Sequence, residues 1–192
     1  MQVGLLGGSF DPIHHGHLLV AQAAVEALAL DELWFVPARE QPFKAGTHAA
    51  AAAHRAEMVR LAIAGEPHFR LEPVELERPG PSYTVDTLRA LGAREPGVAF
   101  TLLVGADAAA ELELWREAAA LPSLARIVVF ARAGAPPPAS RLVQGSITVP
   151  SLEVSATAIR ARVAAGRSIR YWVPEAVATY VAAHGLYRNG AG

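Results

Sequence analysis

The sequence predicts an α/β fold, a Rossmann-like, doubly wound parallel sheet. Three observations carry the layered sheet. Short apolar runs of strand length alternate with longer runs of helical period, the β-α-β-α order of a parallel sheet covered by helices on both faces. The chain is 192 residues long and 52% hydrophobic, enough to bury a substantial core. Neither an internal repeat nor a linker interrupts it, so residues 1–192 are read as one domain.

The elements follow in order. Val3 to Leu6 is a buried-strand run that ends at Gly7-Gly8. Leu18 to Ala29 has helical period, with Leu18, Ala21, Val25 and Leu28 on one face. Leu33 to Val36 is a strand stopped by Pro37. His48 to Ala64 is expected to be helical because alanine has the highest helix propensity. Phe69 to Leu76 is expected to be extended, and Thr84 to Leu91 helical as far as Gly92. Val98 to Val104 is a second buried strand, and Asp107 to Ala120 one helix ending before Pro122. Ile127 to Phe130 is a third central strand. The proline-rich stretch from Arg132 to Ser140 is a loop. Ile147 to Val149 is a short strand, and Ala156 to Ala165 and Glu175 to Ala183 are helices. Trp34 and Trp172 read as packing residues.

Composition narrows the chemistry. The formal charge is -1, so no strong global attraction to nucleic acid is expected. There is no cysteine, hence no disulfide, thiolate nucleophile or Cys-ligated zinc. No charged leader and no apolar run of membrane-spanning length is seen, and a soluble cytoplasmic protein is expected. The sequence does not set the oligomeric state.

The stretch GGSFDPIHHGH at residues 7–17 stands out. It can be read as a metal site, as a strand-to-helix turn with incidental histidines, or as a phosphate seat. His14, His15 and His17 lack the i, i+4 spacing of a helical zinc site, and only Asp11 accompanies them. In the third reading Gly7 and Gly8 let backbone approach a ligand, and Pro12 stiffens the turn. A helix starting near His15 or Gly16 then offers free N–H groups and partial positive charge. His14 and His17, three apart, point the same way there. In open sheets ligands bind beyond the strand carboxyl ends where the strand order reverses.

The stretch resembles the GxFxPxHxGH signature of the nucleotidyltransferase superfamily, with His14, Gly16 and His17 as its HxGH element. VSATAIRARV at 154–163 is similar to the superfamily's (I)SSTxxR motif through Ser155, Thr157 and Arg160, with Ala156 where a second serine is usual. Ser155 or Thr157 also suits a helix N-cap. Four further matches are with the bacterial nicotinate-mononucleotide adenylyltransferases. ERPGPSYTVDTL (77–88) and LVGADAAAELELWRE (103–117) resemble their SYTxDTL and GAD…W segments. VPAREQPFK (36–44) resembles their VPxxxxPHK loop with Phe43 in place of His, and VVFARAG (128–134) their RPG strand with Ala133 in place of Pro. The chain is identified as a member of that family.

The resemblance implies transfer of AMP from ATP to nicotinate mononucleotide, giving deamido-NAD and pyrophosphate in NAD biosynthesis. The nucleophile is a phosphate monoester, largely dianionic at neutral pH, so no general base is needed. The demand is for positioning and preorganised donors. His14, His17, Lys44 and Arg160 are the implied catalytic residues, with His17 at the transition state. Gly7, Gly8, Ser9, Phe10, Gly105, Asp107, Ser155 and Thr157 are expected to complete the ATP site, Asp107 at the ribose. Mg²⁺ is expected to arrive on ATP, with no protein ligand assigned. Tyr83 and Thr84 open a helix whose N–H groups suit the nicotinate carboxylate better than a carboxamide. Trp115 is placed to stack on the pyridine or, if Leu112, Trp115 and Ala119 share a helical face, to pack in the core. Arg132 is assigned to the mononucleotide phosphate or to solvent. Two rivals stand beside this reading. One is another adenylyl- or cytidylyltransferase, such as a phosphopantetheine adenylyltransferase, which usually carries Thr in place of His14 and lacks the SYTxDTL segment. The other is a non-catalytic nucleotide sensor.

Overall fold

The computed structural model describes residues 1–40, 48–132, 134 and 140–188. The strands are β1 (Gln2–Gly8), β2 (Glu32–Pro37), β3 (Phe69–Leu71), β4 (Ala99–Gly105), β5 (Arg126–Arg132) and β6 (Gly145–Val149). The helices are α1 (His15–Leu28), α2 (Ala52–Ala62), α3 (Thr84–Arg94), α4 (Ala106–Ala110), α5 (Leu121–Leu124), α6 (Ala156–Ala164) and α7 (Glu175–Ala183). The six strands form one sheet in the order β3-β2-β1-β4-β5-β6, with every pair parallel. The chain winds outward from β1 to β3, returns to place β4 beside β1, and winds outward the other way. The doubly wound class read from the sequence is therefore the observed one, and its switch point lies between β1 and β4.

Strand period two assigns side chains to two cores. Leu6, Leu33, Phe35 and Leu103 pack under α1, α2, α6 and α7. Val3, Leu5, Trp34, Val36, Leu102 and Val104 pack on the other face with α3 and α5. The strands read as continuous apolar runs because both faces are covered. Trp34 is fully buried, and Trp172 packs partly buried against the first core. Among the described residues no helix is long and apolar enough to cross a membrane.

Three expected elements differ. The helix expected from His48 starts only at Ala52, because the Asp11 carboxylate takes the N–H groups of Ala49 and Ala50 at 2.7 and 3.2 Å. The extended run from Phe69 stops at Leu71; the Leu76 N–H turns back to the Pro73 carbonyl at 2.7 Å. Buried Glu72, paired with Arg94, fixes that turn. The single helix expected over 107–120 is broken. α4 ends at Ala110, short 3₁₀ turns span Leu112–Leu114 and Ala118–Ala120, and α5 follows with Pro122 in its first turn. Trp115 is extended (φ -69°, ψ 150°) and Glu117 is left-handed (φ 50°). Leu112 and Trp115 therefore share no helical face with Ala119: Leu112 is buried, Trp115 half-buried and Ala119 exposed. Alanine propensity yields to tertiary packing, which turns Leu112 into the core and frees Trp115 towards the crevice.

Candidate active site

The turn after β1 is built around Phe10. Its φ is 48° and its ring lies edge-on to Phe35 and His17, with centroids 5.7 and 5.1 Å apart. A Cβ on Gly8 would approach that ring to 3.1 Å, whereas one on Gly7 would meet nothing within 4 Å. A side chain at position 8 would thus crowd the Phe10 ring, while Gly7 leaves open space. Phe10, expected as an ATP contact, is a core side chain only 2% exposed, and it supports His17 from behind.

His14 is the N-cap of α1. Its ring stacks on His17, with centroids 3.7 Å apart and planes 22° apart. The His14 backbone N–H donates to His17 Nδ1 at 3.2 Å. That nitrogen must therefore be the acceptor, and the neutral His17 ring carries its proton on Nε2. A Cβ at Gly16 would lie 3.0 Å from His14 Nδ1, so the glycine of the HxGH element makes room for the first histidine's ring. Burial, and secondarily the neighbouring His15, lowers the His14 pKa to about 4. Burial, and secondarily His14, lowers that of His17 to about 3. With pKa values this low both rings are neutral at pH 7, each with one N–H.

The second motif docks on the first. Ser155 caps α6, its Oγ accepting from the Ala158 N–H at 3.2 Å. Arg160 donates to Thr157 Oγ1 at 3.2 Å and to the Asp11 carbonyl at 2.8 Å. The Val154 carbonyl lies 3.9 Å from where a Gly16 Cβ would sit, so the starts of α1 and α6 are neighbours.

Residues that sequence reasoning missed hold this arrangement. The buried Asp11 carboxylate accepts from Ala49, Ala50 and the Tyr187 hydroxyl, the last at 2.7 Å. Arg55, 1% exposed, donates to the carbonyls of Ser9 at 2.6 Å and Arg39 at 3.2 Å. Its signal was available: Arg55 shares the buried face of α2 with Met58 and Val59. Asp11 and Tyr187 meet across 176 positions and had no local signal.

A cavity of about 820 Å³ opens at the carboxyl ends of β1 and β4. Gly7, Gly8, Gly105, Asp107, Tyr83, Thr84 and Trp115 line it. Tyr83 is the N-cap of α3, and the first N–H groups of a helix have no partner within it. Glu75 and Arg116, neither assigned from sequence, also face the cavity. Thr87 Oγ1 donates to Glu75 at 2.8 Å and accepts from Arg78 at 2.5 Å. Burial pushes the Glu75 carboxyl above the usual range, against hydrogen bonds from Thr87 and Ser82 and the charge of Arg78. Arg132 is exposed at the end of β5 and lies outside the cavity wall formed by the described residues. Lys44, Phe43 and Ala133 lie outside the described residues. Among those described, no group of three or more His, Cys, Asp or Glu is placed to hold a metal ion.

A family model described as cytidylyltransferase-like matches residues 5–162. A probable nicotinate-nucleotide adenylyltransferase of Roseiflexus sp. (strain RS-1) is 47% identical over 198 residues, covering 97% of this chain and 98% of the relative. One of Thermus thermophilus is 47% identical over 188 residues, covering 98% of this chain and 100% of the relative. The solved structure of Plasmodium falciparum nicotinic acid mononucleotide adenylyltransferase complexed with NaAD superposes with a TM-score of 0.79 over 97% of each chain at 20% identity, a likeness of fold. With two relatives at nearly half identity over almost their whole length, the chain belongs to the nicotinate-nucleotide adenylyltransferases, within the cytidylyltransferase-like family.

Proposed function

We propose that the chain binds ATP and nicotinate mononucleotide in this crevice and joins them into deamido-NAD, releasing pyrophosphate. The observation that carries this reading is the docking of Arg160 on the Asp11 carbonyl, which brings the start of α6 to the turn that leads into the stacked histidines at the start of α1. A helix N-terminus favours phosphate through its free N–H groups and its dipole.

The proposed reaction is an in-line displacement. A phosphate oxygen of the mononucleotide attacks the α-phosphorus of ATP in line. The new P–O bond forms as the bond from the α-phosphorus to the bridging oxygen breaks, and pyrophosphate leaves with the electron pair. The attacking monoester has lost most of its second proton at neutral pH, so no base is required. His17 donates from Nε2 to the charge that builds on the transferring phosphoryl group, and His14 supports it by stacking. Arg160 and the capped start of α6 hold the leaving phosphates, joined by Lys44 on the strength of the family resemblance. Asp107 accepts from a ribose hydroxyl, Trp115 stacks on the pyridine, and the first turn of α3 receives the ring carboxylate. Mg²⁺, for which no residue of this chain is assigned as a ligand, would be held by the phosphates and water and would supply charge neutralisation on the triphosphate.

Pyrophosphate release from ATP is the test, with nicotinate mononucleotide, nicotinamide mononucleotide and phosphopantetheine compared side by side. The acid substrate is expected to be turned over best. Preference for phosphopantetheine would assign a different transferase, and ATP binding without pyrophosphate release would assign a sensor.

A further inference from the structure

Building on the substrate proposed above, we infer that Arg116 is the specificity-determining residue that makes the crevice prefer an acidic pyridine ring over its uncharged amide. The charge on the cavity wall poses the problem. Glu75, Asp107 and Glu111 face the cavity, and Arg116 is the only basic side chain among the described lining residues. A substrate carboxylate entering there meets three carboxyl groups and one guanidinium. The N–H groups of a helix start lower the cost for an anion, but their partial charge is small against that background.

Arg116 stands where the anion is needed. Its guanidinium carbon lies 4.7 Å from the centre of the Tyr83 ring, and Tyr83 is the N-cap of α3. The cation and the free N–H groups of α3 thus border the same part of the cavity. The broken 107–120 segment produces this placement. Extended Trp115 and left-handed Glu117 flank Arg116, and the side chain turns back over α3.

The guanidinium also has donors to give. Its carboxylate neighbours stand beyond hydrogen-bond length, Asp86 at 3.6 Å and Glu117 at 3.9 Å. Glu117 is engaged by both terminal nitrogens of Arg89, at 3.2 and 2.6 Å. A guanidinium fork matches a carboxylate with two parallel bonds, whereas a carboxamide offers one acceptor oxygen and no charge. Of the three cavity acids, Glu75 is held by the Thr87 hydroxyl with Arg78 behind it, which limits its repulsion.

Steady-state kinetics of R116Q and R116K, with both mononucleotides at saturating ATP, test the inference. R116Q is expected to lower kcat/KM for the acid about tenfold more than for the amide, mainly through KM, a loss at the low end for a hydrogen bond to a charged group because Arg116 is half-exposed. R116K should recover part of the loss, since it restores charge without the fork. The KM for the acid should rise more steeply with salt in the wild type than in R116Q. An acid preference of wild-type size in R116Q overturns the inference while leaving the proposed substrate in place. So does an equal fall for both substrates, which loss of packing on Tyr83 alone would produce. A wild type without acid preference overturns both.

Discussion

The role proposed for His17 calls for a ring that is not charged. Phe10 packs edge-on and His14 stacks against its half-buried ring, and burial lowers its pKa to about 3. The backbone N–H of His14 occupies Nδ1, so the proton on Nε2 is free to donate. Removing a donor of this kind costs about two to three orders of magnitude in turnover, the effect expected for His17→Ala in single-turnover kinetics. Near wild-type turnover would show that the ring does not touch the transition state. The same burial makes stability depend on pH. In the unfolded chain both histidines titrate near 6.5, and in the folded chain near 4 and 3. Between those values the unfolded state binds more protons, so stability falls as pH drops from about 6.5 towards 4. Denaturant titrations at pH 7 and pH 5 should show this loss, and His17→Gln should shrink it; an unchanged slope would contradict the buried neutral pair. The residue types were legible in eleven letters of sequence. Their neutrality was not, because it comes from Phe10 folding over a turn whose φ no local pattern announces.

At the scale of elements, the first turn of α3 is proposed to read the substrate through backbone rather than side chain. Two substitutions separate these. Thr84→Ala keeps the N–H and should retain acid preference. Thr84→Pro removes the N–H at the first helical position, where proline is favoured, and Tyr83 before it already has compatible angles (φ -88°, ψ 128°). The proline variant should therefore fold, yet raise KM for the acid several-fold; equal behaviour of the two variants would move recognition elsewhere. At α6 the cap is a side chain, and Ser155→Ala should cost about 1 kcal/mol of stability in thermal unfolding. Helices with clean end signals were legible: α7 runs from Glu175 to Ala183 as its period predicts, and α6 starts at its serine cap. The failures share one cause, a distant group overriding local propensity. The Asp11 carboxylate delays the start of α2, and the need to bury Leu112 while freeing Trp115 breaks the alanine-rich run after β4.

The whole molecule depends on a hub that joins three remote segments. Asp11 sits in the turn after β1, where its Oδ2 accepts from Ala49 at the approach to α2. Its Oδ1 accepts from Ala50 and from Tyr187 beyond α7, and its carbonyl holds Arg160 of α6. The strand order that brings these segments together was readable from alternating apolar runs; the hub was not, since nothing local marks a tyrosine 176 positions away as its partner. Asp11→Asn would turn Oδ2 into an amide group facing another donor, the Ala49 N–H. It would also remove the negative charge near buried Arg55. A loss of about 2–4 kcal/mol in urea unfolding is expected, because a buried donor is left unsatisfied and a charge uncompensated. Tyr187→Phe removes a single bond to a charged acceptor and should cost about 1.5–3 kcal/mol. The two side chains share that bond, so the double variant should lose less than the sum of the singles. If the hub also sets the phosphate site, Asp11→Asn should raise the KM for ATP, since the carbonyl of the same residue anchors Arg160. Additive stabilities together with an unchanged KM for ATP would reduce Asp11 to a local cap for the approach to α2.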